Sequence, residues 1–478
     1  MVRLLKYAPV EEALTQANLP QTFPLLAAPR PAARRPSGSA VASKSERTDK
    51  ALLFVYVMWF IILGDPQWFI ASLGPQLVLK IPTLMFGVLL LWTLMKSPRR
   101  LLPPLLAFVV YTVLSVPFAY VRGEAVQTAK TVIGFYVITL ATLTFVRTTR
   151  QAVPILLWAL VGQYLMWAAL GAKSGLVYWH FAYANYDGFG PLMVIGLSCS
   201  FYAGMAVKSK KWRRIAFLTA GLCIVALVSS FARGAVLSGG AVALWMWVRS
   251  KHKVKTTMLG VAALLVLVIA ASVIKGSDKV PGAVNYSNFW QEMASSFNNN
   301  DGTASDREVL WGLAVRVWER NPVFGVGPNC FGAYAADHFA IGEVGGNYAD
   351  NPKTLWGRKL HNTYYQILSE FGLAGVLVVG WMLWDFFRRN RALRRPARVQ
   401  LWTATSGGLL DLRYVSLGLE SAMIGFLLTS YFYNQIFDIN WFYTLLTLNA
   451  LLFHLTRPNG RTAPVPVRAR GPLLVPAR

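Results

Sequence analysis

The chain has 478 residues, of which 55% are hydrophobic and only 14% charged, with a formal net charge of +26. A soluble globular domain carries about a quarter charged residues, so this composition excludes an ordinary soluble enzyme. The positive charge falls in short bursts between apolar runs, which is the pattern of basic cytoplasmic loops rather than of a nucleic-acid-binding surface.

The first fifty residues are polar and rich in Pro, Ala and Arg, and lack an early apolar stretch. They are expected to be a disordered basic cytoplasmic tail, not a signal peptide. Apolar runs of membrane-crossing length then follow. About twelve spans are predicted, near 51–64, 75–95, 102–120, 126–146, 152–171, 188–207, 215–231, 234–248, 256–274, 363–387, 414–433 and 439–456. A short tail, 457–478, is expected to be cytoplasmic like the first.

Loop charge orients the chain. With the N-terminus inside, every second loop should be basic. Those loops hold Lys96, Arg99 and Arg100; Arg147 and Arg150; Lys208, Lys210, Lys211, Arg213 and Arg214; Arg249, Lys251, Lys253 and Lys255; and the run from Arg388 to Arg398. The intervening loops are poor in cations, and residues 64–74 and 434–438 have none. The fold class expected is all-α and polytopic. It comprises a first bundle of about nine spans over 51–274, a large extracytoplasmic loop over 275–361, and three further spans over 362–456.

The outer loop carries its own signals. Asn298 to Gly302 reads as a flexible turn. Ser305-Asp306-Arg307-Glu308 reads as a capping box with Ser305 as N-cap. Val309, Leu310, Leu313, Ala314 and Val317 follow at helical spacing, and Asn321-Pro322 should stop that helix. Gly325-Val326-Gly327-Pro328 reads as a turn. Cys199 and Cys223 lie in apolar runs and Cys330 stands alone in the loop, so no disulfide framework is implied.

Three residues attract attention for chemistry. Arg233 lies between two spans at the outer surface, either as a functional cation or snorkelling to headgroups. Arg307 is expected in the first turn of the loop helix, where an Arg opposes the dipole unless an anion is bound, although a plain surface pair fits as well. His361 lies where the loop enters the tenth span and can carry protons near neutral pH, or cap the helix. Glu420, inside the eleventh span, is either a relay carboxylate of a transporter or the partner of a polar group on a neighbouring helix. No His/Cys/carboxylate cluster has metal-ligand spacing and no phosphate-binding glycine loop is present, so neither a metal nor another cofactor is expected.

The motifs converge on one resemblance. Ser230-Phe231-Ala232-Arg233-Gly234-Ala235, the stretch SDREVLWGLAVRVWERNPVFGVGPNCF at 305–331 and LHNTYYQILSEFGLAGVL at 360–377 resemble the O-antigen ligase and polymerase family of polytopic bacterial membrane glycosyltransferases. ANYDGFGP at 184–191 adds a weaker likeness. The resemblance implies a glycan donor on a polyprenyl diphosphate, an acceptor hydroxyl on a glycan, lipid or protein, and transfer at the outer face of the inner membrane, without a nucleotide sugar or a metal. It implies that Arg233 and Arg307 grip the diphosphate and that His361 acts as general base or orients the acceptor. Asn362 and Tyr364 would support the site, with Arg316 and Arg358 as weaker substrate-binding candidates. Acceptor recognition would fall in variable parts of the outer loop, such as 281–300 and 335–357. The long N-terminal tail is not part of the family pattern. A polysaccharide transporter or flippase, and a non-catalytic component of an export complex, are the competing expectations.

Overall fold

The computed structural model describes residues 50–64, 75–96, 102–173, 186–230, 232–250, 253–273, 290, 302–436 and 440–457. The N-terminal tail, the end of the C-terminal tail, the 65–74 connection, the first part of the outer loop with its Asn298 turn, and Ala184-Asn185 lie outside the described residues.

Each apolar run forms a helix, because a backbone surrounded by hydrocarbon must satisfy its polar groups internally. In chain order these are α1 (Lys50–Gly64), α2 (Pro75–Met95), α3 (Pro103–Ser115), α4 (Arg122–Phe145), α5 (Thr149–Leu157), α6 (Gln163–Lys173), α7 (Tyr186–Ala206), α8 (Lys210–Ser229), α9 (Arg233–Arg249) and α10 (Lys253–Val273). They are followed by α11 (Gly302–Arg320), α12 (Phe331–His338), α13 (Thr363–Leu393), α14 (Pro396–Thr405), α15 (Leu412–Thr429) and α16 (Trp441–Leu455). Among the described residues there is no strand, only an isolated bridge between Val207 and Leu410.

Among the described residues six stretches are long and apolar enough to cross a bilayer: Arg122–Phe145, Thr149–Ala169, Gly188–Ala206, Lys210–Ser229, Thr363–Leu393 and Leu412–Thr429. Lys50–Gly64, Met85–Met95, Pro103–Phe118, Thr256–Ile269 and Trp441–Leu455 are apolar but shorter. Local chemistry explains individual ends. Pro103 and Pro104 open α3, where a missing N–H costs nothing. Thr148 and Gln151 form a reciprocal capping box at α5. Pro154 interrupts the ladder of α5, and a π-turn over Trp158–Gly162 carries the chain on into α6.

Most buried apolar side chains form one core among the long helices, with Trp59, Phe108, Tyr164, Phe189, Trp402, Phe426 and Tyr443 at its centre. A second, smaller core holds Leu310, Leu313, Val317, Phe331, Phe339, Leu355 and Leu360, joined by Ala119 and Ala125 from the α3–α4 connection. The described part of the outer loop is therefore a small packed subdomain seated on that connection.

The bundle has two chemically different ends. At one, Lys208 N–H donates to Leu409 O (3.2 Å) and Asp411 N–H to Ala206 O (2.9 Å). Arg398 Nη1 reaches Phe453 O at 2.7 Å, and Arg249 and Arg394 pair with Glu420. Glu420 also accepts from Asn390 Nδ2 at 3.1 Å, so it is a clamped ion-pair partner, the second of the two readings of that carboxylate. The other end gathers the 120–121, 321–330, 361–363 and 430–436 segments through the hydrogen bonds set out below. Basic loops and the outer subdomain thus occupy opposite ends.

One long helix is broken. At Gly372 of α13 the backbone has φ 60 and ψ −163, a conformation open to glycine almost alone. The break releases carbonyls and N–H groups, and the Asn321–Cys330 loop takes them up. Val326 N–H donates to Ser369 O (3.1 Å) and Gly327 N–H to Glu370 O (2.9 Å). Leu373 N–H donates to Pro322 O (2.9 Å) and Ala374 N–H to Val323 O (3.1 Å). Tyr111 Oη closes the set on Phe371 O at 2.5 Å. The expected turn at Gly325 to Pro328 exists, and it fills the helix break, giving partners to backbone groups that the break releases.

Two expectations at α11 are corrected. The helix begins at Gly302, so Ser305 lies inside it rather than capping it. Arg307 therefore sits in the second turn, away from the free N–H groups of the helix start, and the anion argument made there from the dipole does not hold. The end of the helix is as expected: Arg320 is its last residue, and Asn321 Nδ2 bonds back to Val317 O at 3.2 Å.

Candidate functional site

His361 is one of two non-glycine residues among those described with positive φ (49°). The left-handed backbone is uncommon for such a residue and needs surroundings that hold it. They are visible on both sides. Leu360 O accepts from Trp311 Nε1 at 3.0 Å. Asn362 caps α13, its Oδ1 accepting from the N–H groups of Tyr364 (2.9 Å) and Tyr365 (3.2 Å). Its own N–H donates to Asn434 Oδ1 at 2.9 Å.

Thr363 fastens the same corner to the α15–α16 connection. Its N–H donates to Ser430 O (2.8 Å), its hydroxyl donates to Tyr433 O (2.8 Å) and accepts from Gln435 N–H (2.9 Å). The imidazole is thus carried by a rigid corner, and its ring is partly exposed.

Residues close to Arg307 and Arg233 in the chain reach this corner through aromatic contacts. Trp311, one turn beyond Arg307 on α11, stacks on Tyr365 (ring centroids 5.6 Å) and meets Tyr431 edge-on (5.3 Å). Tyr431 meets Phe432 edge-on at 5.2 Å. Phe432 in turn lies against Gly234, where a Cβ would stand 2.4 Å from the ring. Only glycine allows this approach, and it brings the residue after Arg233 against Phe432. Arg233 is the first residue of α9, whose N-cap, Ala232, offers no side-chain acceptor. A cationic residue therefore stands at the positive end of the helix dipole there. Gly190 of α7 packs on the same corner, against Ala232 and Ala235.

Trp311, Gly234 and Asn362, which lie near Arg307, Arg233 and His361 in the chain, thus all touch one short connection, residues 430–435. Both arginines are partly exposed. Three buried amide atoms around His361, Asn362 Nδ2, Gln366 Oε1 and Gln435 Nε2, have no partner among the described residues. A buried polar group without a partner costs about 1–3 kcal/mol, which marks this corner as a place for a polar ligand or ordered water.

The other candidates lie apart. Arg316 donates to Glu343 O (3.0 Å) and, with Arg320, covers the Phe339 ring at 4.7 and 4.6 Å, bracing the outer subdomain. Arg358 is exposed on that subdomain. Asn362 contributes through its cap, and the Tyr364 hydroxyl is tied to Leu427 O at 2.7 Å, leaving its ring toward an apolar groove.

Elsewhere on the subdomain, Asp337 is held below the usual carboxylate range by Lys353 Nζ (2.6 Å) and the Tyr120 hydroxyl (2.7 Å). Burial pushes the Cys330 thiol up to about 12.

Residues 218–380 match the O-antigen ligase family. The matched segment contains Arg233, Arg307 and His361 and ends within α13. The Tyr431–Gln435 connection lies beyond it. No curated protein matches the chain.

Sequence reasoning passed over that connection. Residues 434–438 registered only as lacking Lys and Arg, although Asn434-Gln435 is a polar pair between two apolar runs. Glu370 was also passed over. It is buried and accepts from Asn329 N–H at 2.9 Å and Gln366 Nε2 at 3.3 Å, holding the inserted loop against α13.

Proposed function

We propose that this chain transfers a glycan from a polyprenyl-diphosphate carrier to an acceptor hydroxyl at the outer face of the bacterial inner membrane, as a ligase or polymerase of surface polysaccharide. The observation that supports the reading is that segments bearing two arginines and a firmly held histidine converge on the 430–435 connection, at the bundle end opposite the basic loops. By the positive-inside rule the end with Lys208, Arg249, Arg394 and Arg398 is cytoplasmic, which turns the site outward. Both tails are then cytoplasmic, and residues 275–361 form the extracytoplasmic loop.

The chemistry follows from charge. The acceptor hydroxyl gives its proton to the imidazole of His361 as its oxygen attacks the anomeric carbon. The bond from that carbon to the diphosphate oxygen breaks, and the polyprenyl diphosphate leaves with the electron pair. Negative charge grows on the leaving group, and Arg233 and Arg307 can each hold phosphate oxygens through paired N–H donors. The dipole of α9 adds to the same field. Stabilisation of developing charge by fixed donors at a partly desolvated interface is often the largest part of a barrier reduction. His361 must be neutral to accept the proton.

A deletion strain complemented with variants tests this. Arg233→Ala, Arg307→Ala and His361→Ala, each at wild-type membrane levels, should lose mature surface glycan and accumulate lipid-linked precursor. Precursor of single repeats indicates a polymerase, and long chains indicate a ligase. Full glycan in Arg307→Ala and His361→Ala would overturn the site, and labelling of the 302–361 segment from the cytosol would overturn the orientation.

A further inference from the structure

Beside the His361 corner a cavity of about 280 Å³ opens between α13, α15 and the start of α16. Its walls include Tyr364, Ile367, Val379, Gly380, Phe426 and Phe442. Polar residues enter only at one end, as Thr363, Tyr364 and Ser430, and the hydroxyls of Thr363 and Tyr364 are already spent on Tyr433 O and Leu427 O. The remaining wall is hydrocarbon down to Leu383. The lining residues run along α13 on both sides of the Gly372 break, from Thr363 to Leu383. The flank of α13 beside it exposes Leu377 and Trp381, as a lipid-facing surface does.

We infer that this groove holds the hydrocarbon chain of a diphosphate lipid, with the head at the Arg233–Arg307–His361 corner. The inference rests on the proposed function and adds where the carrier's chain lies. Continuity argues for that occupant. Thr363, Tyr364 and Ser430 belong both to the polar corner and to the mouth of the groove, so a ligand with an anionic head and a long apolar chain meets cations at one end and an apolar trough directly beneath. A bulk phospholipid would find the same trough, but its single phosphate carries less charge to hold at two arginines and a helix start.

Gly380 supplies the test. A Cβ there would meet nothing within 4 Å, and its φ lies outside the positive range, so a large side chain enters the trough without strain on the backbone. The full chain in phosphatidylglycerol-containing nanodiscs is photolabelled with a long-chain prenyl diphosphate bearing a diazirine near the end of its chain. The labelled peptides should fall in 364–383 and 426–442. Excess unlabelled prenyl diphosphate should reduce labelling at least fivefold, and extra phosphatidylglycerol should not. Gly380→Phe should reduce it about tenfold, and Gly380→Ala should leave it as in the wild type.

Labelling elsewhere, labelling indifferent to Gly380→Phe, or equal displacement by phosphatidylglycerol would overturn the inference, the last identifying the trough as an ordinary lipid contact. The readout does not depend on turnover. A wild-type chain that labels as described but transfers no glycan refutes the proposed function and leaves the groove standing, and active protein with labelling elsewhere does the reverse.

Discussion

Replacing Gly372 by alanine should unlock the outer subdomain from the membrane bundle. At φ 60 and ψ −163 a side chain costs about 1–3 kcal/mol in backbone strain. The new Cβ would also stand 2.4 Å from Val323 O and 2.5 Å from Val323 C, so the inserted loop must retreat. That retreat breaks the bonds from Leu373 N–H to Pro322 O and from Ala374 N–H to Val323 O, each worth about 1 kcal/mol net. Together the local cost is about 3–5 kcal/mol. At about 1.4 kcal/mol per factor of ten, amide protection in 323–327 and 369–374 should fall by about a hundredfold to a thousandfold. Hydrogen exchange read by mass spectrometry on the detergent-solubilised chain measures this. Gly380→Ala is the control, because its Cβ meets nothing and alanine favours a helix by about 0.5–1 kcal/mol. If Gly372→Ala exchanges like the control, the inserted loop does not hold the break and the account of that lock is wrong.

Trp311→Phe keeps a ring against Tyr365 but removes the indole donor to Leu360 O. It should cost about 1 kcal/mol and lower glycan transfer severalfold at unchanged membrane abundance, and full activity would show that His361 does not depend on that bond. Cys330, with its thiol pushed up to about 12 and buried, should resist maleimide at pH 8 in the folded chain and react after denaturation, as mass spectrometry will show. Asp337 has a folded pKa below that of the unfolded chain, so its contribution to local stability is complete above about pH 3.9 and is lost as pH falls through the folded value. Asp337→Asn should remove that acid-side dependence from hydrogen exchange over 334–353, and an unchanged pH profile would refute the role of the Lys353 and Tyr120 contacts.

The two arginines and the histidine were legible as candidates because cations and imidazoles are costly near a membrane interface, whatever the fold. Two details were misread for physical reasons. Ser305 and Glu308 have the spacing of a capping box, yet packing of Leu310, Leu313 and Val317 on the outer core stabilises the helix far enough to carry it a turn back to Gly302. Gly372, in an apolar run, carries no local sign that its φ is positive, since glycine in a membrane helix usually marks close packing between helices.

The sequence by itself determined that the chain lies in a membrane, that its apolar runs are helices, and which loops are basic. These are properties of single segments against a solvent, and length, hydropathy and charge suffice to read them. Only the tertiary structure decided that segments near Arg233, Arg307 and His361 touch the Tyr431–Gln435 connection, that the Asn321–Cys330 loop fills a broken helix, and that an apolar trough runs down from the same corner. Those facts depend on contacts between residues far apart in the chain, where the shape of the neighbour, and not the chemistry of the segment, selects the arrangement.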